Sequence, residues 1–246
     1  MTMNCDLETG TCSVPELDND QKAINNVESD LSLVYIGDPM CSWCWGASKT
    51  IKQAREYAIN NGIGFSVITG GLRPGGGDAW TEDFKNFLRR EWRSIESITQ
   101  QPFTDKLLER EHFNYDTEPS ARAVHIARNL WQGNDSNDEK LLAFFSAIQY
   151  KFYVEGEDPN ELEFYRSICE KFELDFAVFS EKFKLPQTQK ETYEEFKLNR
   201  SWGVRGFPSF AIRHGNEVKI IGSGSLPLEK LTKAIDESVE KKHLKA

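Results

Sequence analysis

Two cysteines stand three positions apart in "DPMCSWCWG" (38–46), with Trp43 between them and Trp45 just after. This spacing suits thiol–disulfide exchange, in which one sulfur captures a partner cysteine and the other displaces it intramolecularly at high effective concentration. Cys41 follows a strand-like run and opens a helical pattern. Free backbone N–H groups and the positive end of a helix dipole stabilise an anion there, so the Cys41 thiolate is expected to form more easily than in a peptide. Cys44, one turn further on, is the expected resolving thiol. Lowering a thiol from about 8.5 to about 6 gives roughly thirtyfold more thiolate at pH 7 but loses about thirteenfold in nucleophilicity, a net gain near twofold. The larger benefit is that Cys41 becomes a good leaving group and the dithiol form is favoured. A zinc site would need two more ligands. Cys5 and Cys12 are available, but their six-residue gap departs from the usual two to four. Two merely structural cysteines are the other alternative.

The remaining chemistry-bearing residues carry weaker signals. Cys5 and Cys12 bracket a turn at Gly10 in "CDLETGTC", which makes them either a candidate accessory redox pair or two unpaired thiols in an arm. Cys169 falls on an apolar helical face and reads as a buried, inert thiol. Asp38, three residues before Cys41, is a candidate proton relay to Cys44 or simple Asp-Pro turn chemistry. Trp43 and Trp45 either present a flat apolar surface to substrate or simply pack, and Trp43, between the cysteines, is the better candidate for exposure. The four histidines, His112, His125, His214 and His243, show no metal-binding spacing. "GGLRPGGG" (70–77) lacks the Lys-Ser/Thr of a phosphate loop and reads as a flexible hinge lining the groove above Cys41, with Arg73 solvated or meeting an acidic group.

The elements that must position these residues follow from periodicity. "LSLVYI" (31–36) is a buried strand ending at Gly37, Asp38 and Pro39. Ala47, Ile51, Ala54 and Ala58 recur at helical spacing up to "NNG" (60–62), and "FSVIT" (65–69) is a second strand, parallel to the first by the handedness of such crossovers. From about 76 to 202 the pattern is helical. "SFAIR" (209–213) and "EVKIIG" (217–222) form a hairpin across "HGN", and a last helix starts near Pro227. The expected fold class is α/β, a mixed sheet covered by helices. The expected division is an N-terminal arm (1–30), a discontinuous sheet domain (31–75 and 203–246) and a helical insertion (76–202). With 246 residues, 39% hydrophobic, the chain can bury a large core. A net charge of −9 argues against nucleic acid or anionic membrane as partner. The start lacks a secretion signal's basic and apolar regions, so a cytoplasmic location is expected, where a disulfide is a working one.

"DPMCSWCWG" after a strand, "GVRGFPSF" (203–210) before the hairpin, and a helical insert between them resemble the DsbA-like thioredoxin-fold family, most of all its FrnE-like branch of protein disulfide isomerases. "GGL" (70–72) and "EPSARAV" (118–124) are also similar to that branch. The resemblance spans about Leu31 to the end. It implies a thioredoxin-like fold with a large all-helical insertion, Cys41 as nucleophile, Cys44 as resolving cysteine, and Pro208 as the family's cis-proline packed against the pair. A cis Phe207–Pro208 bond would present backbone beside Cys41 to an extended substrate segment, which makes Phe207 and Pro208 substrate-binding candidates with Trp43. The implied partners are cysteine-containing proteins and glutathione or a thioredoxin-type protein. The redox-active disulfide would need no cofactor. The alternative is a glutathione-dependent kappa-type transferase or 2-hydroxychromene-2-carboxylate isomerase. Those relatives share the plan but generally carry a serine and lack the paired cysteines.

Overall fold

The computed structural model describes residues 5–13, 31–131 and 137–243. Two short strands come first, β1 (Cys5–Asp6) and β2 (Thr11–Ser13), paired antiparallel around a turn in which Gly10 takes φ +64°. Seven mostly apolar residues then form β3 (Leu31–Gly37). Strand side chains alternate between faces, and here both faces are covered: Leu33 and Tyr35 enter one core, Val34 and Ile36 the other.

A short helix α1 (Ser42–Gly46) follows and, after Ala47, α2 (Ser48–Asn60). Helix α2 ends where Asn61 caps it and Gly62 turns at φ +72°. The crossover returns the chain as β4 (Gly64–Thr69), parallel to β3. Six helices come next: α3 (Glu82–Thr99), α4 (Glu118–Leu130), α5 (Asn137–Tyr150), α6 (Arg166–Lys171), α7 (Phe176–Lys184) and α8 (Pro186–Ser201). The two-residue strand β5 (Gly206–Phe207) pairs with β2, so part of the N-terminal stretch expected as a loose arm is built into a three-stranded sheet β1-β2-β5. Strands β6 (Ser209–His214) and β7 (Glu217–Ser223) make the hairpin, and α9 (Leu228–His243) closes the described chain. The main sheet runs β4-β3-β6-β7, with β6 antiparallel to β3.

Among the described residues the helices from α3 to α8 bury no core apart from the sheet's. Val124, Phe144, Tyr165 and Phe179 pack into the cluster of Leu33, Tyr35, Ile51 and Phe65, which α9 completes with Leu231 and Ile235. Leu88, Trp92 and Tyr153 join Val34, Ile36, Trp43 and Phe207 on the opposite face. One buried polar cluster ties the insert to the sheet. Glu195 of α8 accepts hydrogen bonds from the Thr69 backbone N–H (2.5 Å) and hydroxyl (2.8 Å) at the end of β4. It also pairs with Arg128 and stands 3.3 Å from the His125 ring, both on α4. Burial opposes its ionisation, yet Arg128 and His125 hold the carboxyl well below its ordinary range.

Removing one member of a buried pair leaves the others uncompensated. Glu195→Gln is therefore expected to lower unfolding free energy at pH 7 by about 3 kcal/mol in urea titration. A loss below about 0.5 kcal/mol would show that the cluster does not hold α8 to the sheet.

Candidate active site

Cys41 sits at the start of α1 with extended backbone (φ −87°, ψ 117°), its N–H bonded to the Asp38 carbonyl at 3.0 Å. Cys41 and Cys44 are both free thiols with no exposed surface. The Cys41 sulfur is held by the backbone N–H and the side chain of Cys44, and its thiol donates to the Phe207 carbonyl at 3.6 Å. The Phe207–Pro208 peptide bond is cis. The two cysteines and the two substrate-binding candidates at 207 and 208 thus meet in space although 166 residues separate Cys41 from Phe207.

One expectation needs correction. Burial pushes the Cys41 thiol well above its ordinary range, and the neighbouring Cys44 and Asp38 push it the same way, while the Cys44 N–H at the helix start acts in the opposite sense. A five-residue helix supplies few aligned peptides, and the loss of water outweighs them. In this environment burial favours the Cys41 thiol over its thiolate.

Asp38 is fully buried. Its carboxylate accepts from the N–H of Met40 (2.9 Å) and of Leu72 (2.7 Å), so it bolts the cysteine loop to the "GGL" segment. Burial raises its pKa to about 6 against these two bonds, leaving a carboxyl that titrates near neutrality behind the cysteine pair. The glycines of "GGL" now have a physical reason. A Cβ on Gly70 would strike the Phe207 ring, and Gly71, at φ +68°, lies against the ring of Phe196. Arg200 donates to the Gly71 carbonyl at 3.0 Å and stacks its guanidinium 5.2 Å from the Phe207 ring centre. Asn199 donates to the Thr69 carbonyl at 3.0 Å.

Trp43, expected to face substrate, is buried at 2% exposure, with its ring beneath Gly10 of the hairpin. Trp45 is buried too, stacked on Tyr153 and donating its Nε1–H to the Pro102 carbonyl at 2.9 Å. The "GGLRPGGG" segment is pinned at several points. The N–H groups of Arg73, Gly75 and Gly77 bond to the side chains of Thr117, Asp116 and Asn114, and Arg73 pairs with Asp78. Cys169 is buried, and burial pushes its thiol up to about 12, as an inert core cysteine should be. His125 belongs to the Glu195 cluster, while His112 is exposed. His243 has no described side chain. Among the described residues no group of three or more His, Cys, Asp or Glu is arranged to hold a metal ion.

Cys12 is disulfide-bonded and buried, its sulfur 3.9 Å from the Ser42 hydroxyl beside Cys41. The strand register sets Cys5 directly across from Cys12, but the Cys5 side chain lies outside the described residues. Sequence reasoning gave no role to Tyr115 or Arg200. Tyr115 donates its hydroxyl to the Met40 carbonyl at 2.8 Å and so braces the residue before Cys41. Its only sequence signal was an aromatic in a polar stretch.

A CxxC pair at the start of a helix, against a cis X-Pro bond in a β4-β3-β6-β7 sheet, defines a thioredoxin-like protein with a helical insertion. The model of the DSBA-like thioredoxin domain family matches residues 81–236, and the chain belongs to that family. A protein from Nitrosomonas europaea, proposed to be a protein disulfide isomerase, has a structure similar to this one with TM-score 0.74 and 29% identity. That similarity covers 86% of this chain and 98% of that one. The cytosolic disulfide reductase DsbM of Pseudomonas aeruginosa shares the fold at TM-score 0.62 and 23% identity, over 87% of this chain and 100% of its own. DsbM has also been solved with GSH. A 2-hydroxychromene-2-carboxylate isomerase shares the fold at TM-score 0.56 and 13% identity, over 87% and 98% of the two chains. A search of curated proteins found no match.

The raised pKa of Asp38 makes a signed prediction. The folded state holds the proton up to about pH 6 and the unfolded chain releases it near 3.8, so Asp38 ionisation lowers stability as pH rises through that window. Stability measured by urea unfolding between pH 4 and 7 should therefore fall in the wild type relative to Asp38→Asn by about 2 kcal/mol. Parallel curves would contradict this environment for the carboxyl.

Proposed function

We propose that this DsbA-like oxidoreductase is a thiol–disulfide oxidoreductase or isomerase acting on protein cysteines through Cys41 and Cys44. One observation carries the reading: the Cys41 sulfur meets both Cys44 and the Phe207 carbonyl. The nucleophile, its resolving partner and a stretch of backbone able to pair with an extended client therefore share one point.

The chemistry needs no organic cofactor. The Cys41 thiolate attacks a client disulfide, forms the Cys41–client bond and expels the other client sulfur as a thiolate. Cys44 then attacks the Cys41 sulfur, frees the client thiol and leaves a Cys41–Cys44 disulfide. Two thiols, from glutathione or a thioredoxin-type dithiol, return the pair to its reduced state and are themselves oxidised to a disulfide. The reverse sequence donates a disulfide, and capture followed by release without Cys44 attack reshuffles one. Asp38, close to neutrality in its titration, can take or return a proton as Cys44 cycles. A cytoplasmic setting with glutathione as exchange partner completes the reading, supported by the cytosolic description of DsbM and its structure with GSH.

The kappa-type transferase or chromene carboxylate isomerase reading asks for one activating side chain only. The contact between the two sulfurs favours the paired chemistry instead. In insulin reduction and scrambled-substrate refolding assays, Cys41→Ser should abolish turnover. Cys44→Ser should lose about 100-fold or more of its reductase rate while accumulating client attached to Cys41, detectable by mass spectrometry. A Cys44→Ser protein that turns over normally and traps nothing would sink the proposal.

A further inference from the structure

The backbone beside Cys41 is already occupied. Strand β2 lies antiparallel on β5, with Cys12 opposite Phe207 and Ser13 opposite Gly206. An extended client reaching Cys41 would use that same edge, because Phe207 is the residue whose carbonyl meets the Cys41 sulfur. The occupant is shaped for the place at three glycines. A Cβ on Gly206 would strike the Thr11 side chain and come within 2.9 Å of the Cys12 carbonyl oxygen. A Cβ on Gly224 would strike the Thr9 carbonyl oxygen. A Cβ on Gly10 would come within 2.8 Å of the Ser225 Cβ and 3.2 Å of the Trp43 ring. The Ser225 N–H further bonds the Gly10 carbonyl at 3.1 Å. The hairpin also presents a sulfur to the site, since the side chain of Cys12 is buried against Ser42.

Resting on the proposed thiol–disulfide chemistry, we infer that the β1–β2 hairpin is a resident, client-like strap on the recognition edge, and that a client must displace it to reach Cys41. The partner this edge fits is an extended segment that carries a cysteine where Cys12 now lies opposite Phe207. The strap lies over Trp43 and beside Ser42, next to two cysteines that have no exposed surface.

The test reads access to Cys41 and uses no client, so it is separate from the test of the catalytic proposal. In the wild-type protein, iodoacetamide labelling of Cys41, followed by mass spectrometry, should be limited by lifting of β2. The Thr11–Ser13 amides should open in hydrogen exchange at least as often as Cys41 is alkylated. Gly10→Val, which forces a branched side chain toward Trp43 and Ser225, and a chain lacking residues 1–13 should each alkylate at Cys41 about tenfold faster or more. Either variant is judged with the wild-type near-ultraviolet circular dichroism retained. Unchanged Cys41 labelling in such a variant, or wild-type labelling that outpaces exchange of the β2 amides, would overturn the inference.

Discussion

The close approach of backbone to sulfur at Phe207 is the constraint on which the site depends. Four elements converge there. The Cys41 thiol meets its carbonyl, Gly70 yields space to its ring, Arg200 lies over that ring, and β2 pairs along its main chain. None of these contacts is strong alone, and hydrogen bonds through sulfur are among the weaker ones. What they enforce is position. Exchange at a disulfide needs the attacking sulfur in line with the bond it breaks, and under the proposed function an edge of fixed backbone beside Cys41 orients the client strand to that end.

Positioning comes at the expense of readiness. Packing around Cys41, Cys44, Tyr35 and Tyr153 excludes water, which raises the Cys41 thiol and puts Asp38 near neutrality. A pair meant to exchange with large partners would ordinarily sit exposed in electropositive surroundings. Here the packing shields the thiols, and under the proposed strap chemistry follows its displacement. The insert contributes directly, because Leu88, Trp92 and Tyr153 wall the cysteine side of the sheet, while Asn199 and Arg200 at the end of α8 donate to the Gly70 and Gly71 carbonyls of "GGL". Insert and sheet function as one body around the site, their cores shared on both faces.

Much of this was legible from local pattern. The apolar run at 31–36, the helical spacing after Cys41, the strand at 65–69 and the hairpin around Gly215 all fall within a residue or two of the structure, because each is set by its own periodicity and turn residues. The DsbA-like resemblance brought Pro208 to the cysteines, which no local signal could do. Three things were not legible. The N-terminal stretch is polar, and polarity says nothing about backbone pairing, so β2 was hidden. Trp43 looked exposed because its covering hairpin comes from elsewhere in the chain. Helix geometry alone predicts a lowered Cys41 thiol, whereas the sign is decided by tertiary burial.

The most direct measurement is an equilibrium titration in glutathione redox buffers, quenched with an alkylating agent and read by mass spectrometry at each cysteine. The account predicts one two-electron step in which Cys41 and Cys44 lose their alkylation together and gain no glutathione, with a midpoint within about −270 to −120 mV. Stable glutathione on Cys41 with Cys44 still a free thiol across the whole range would contradict it.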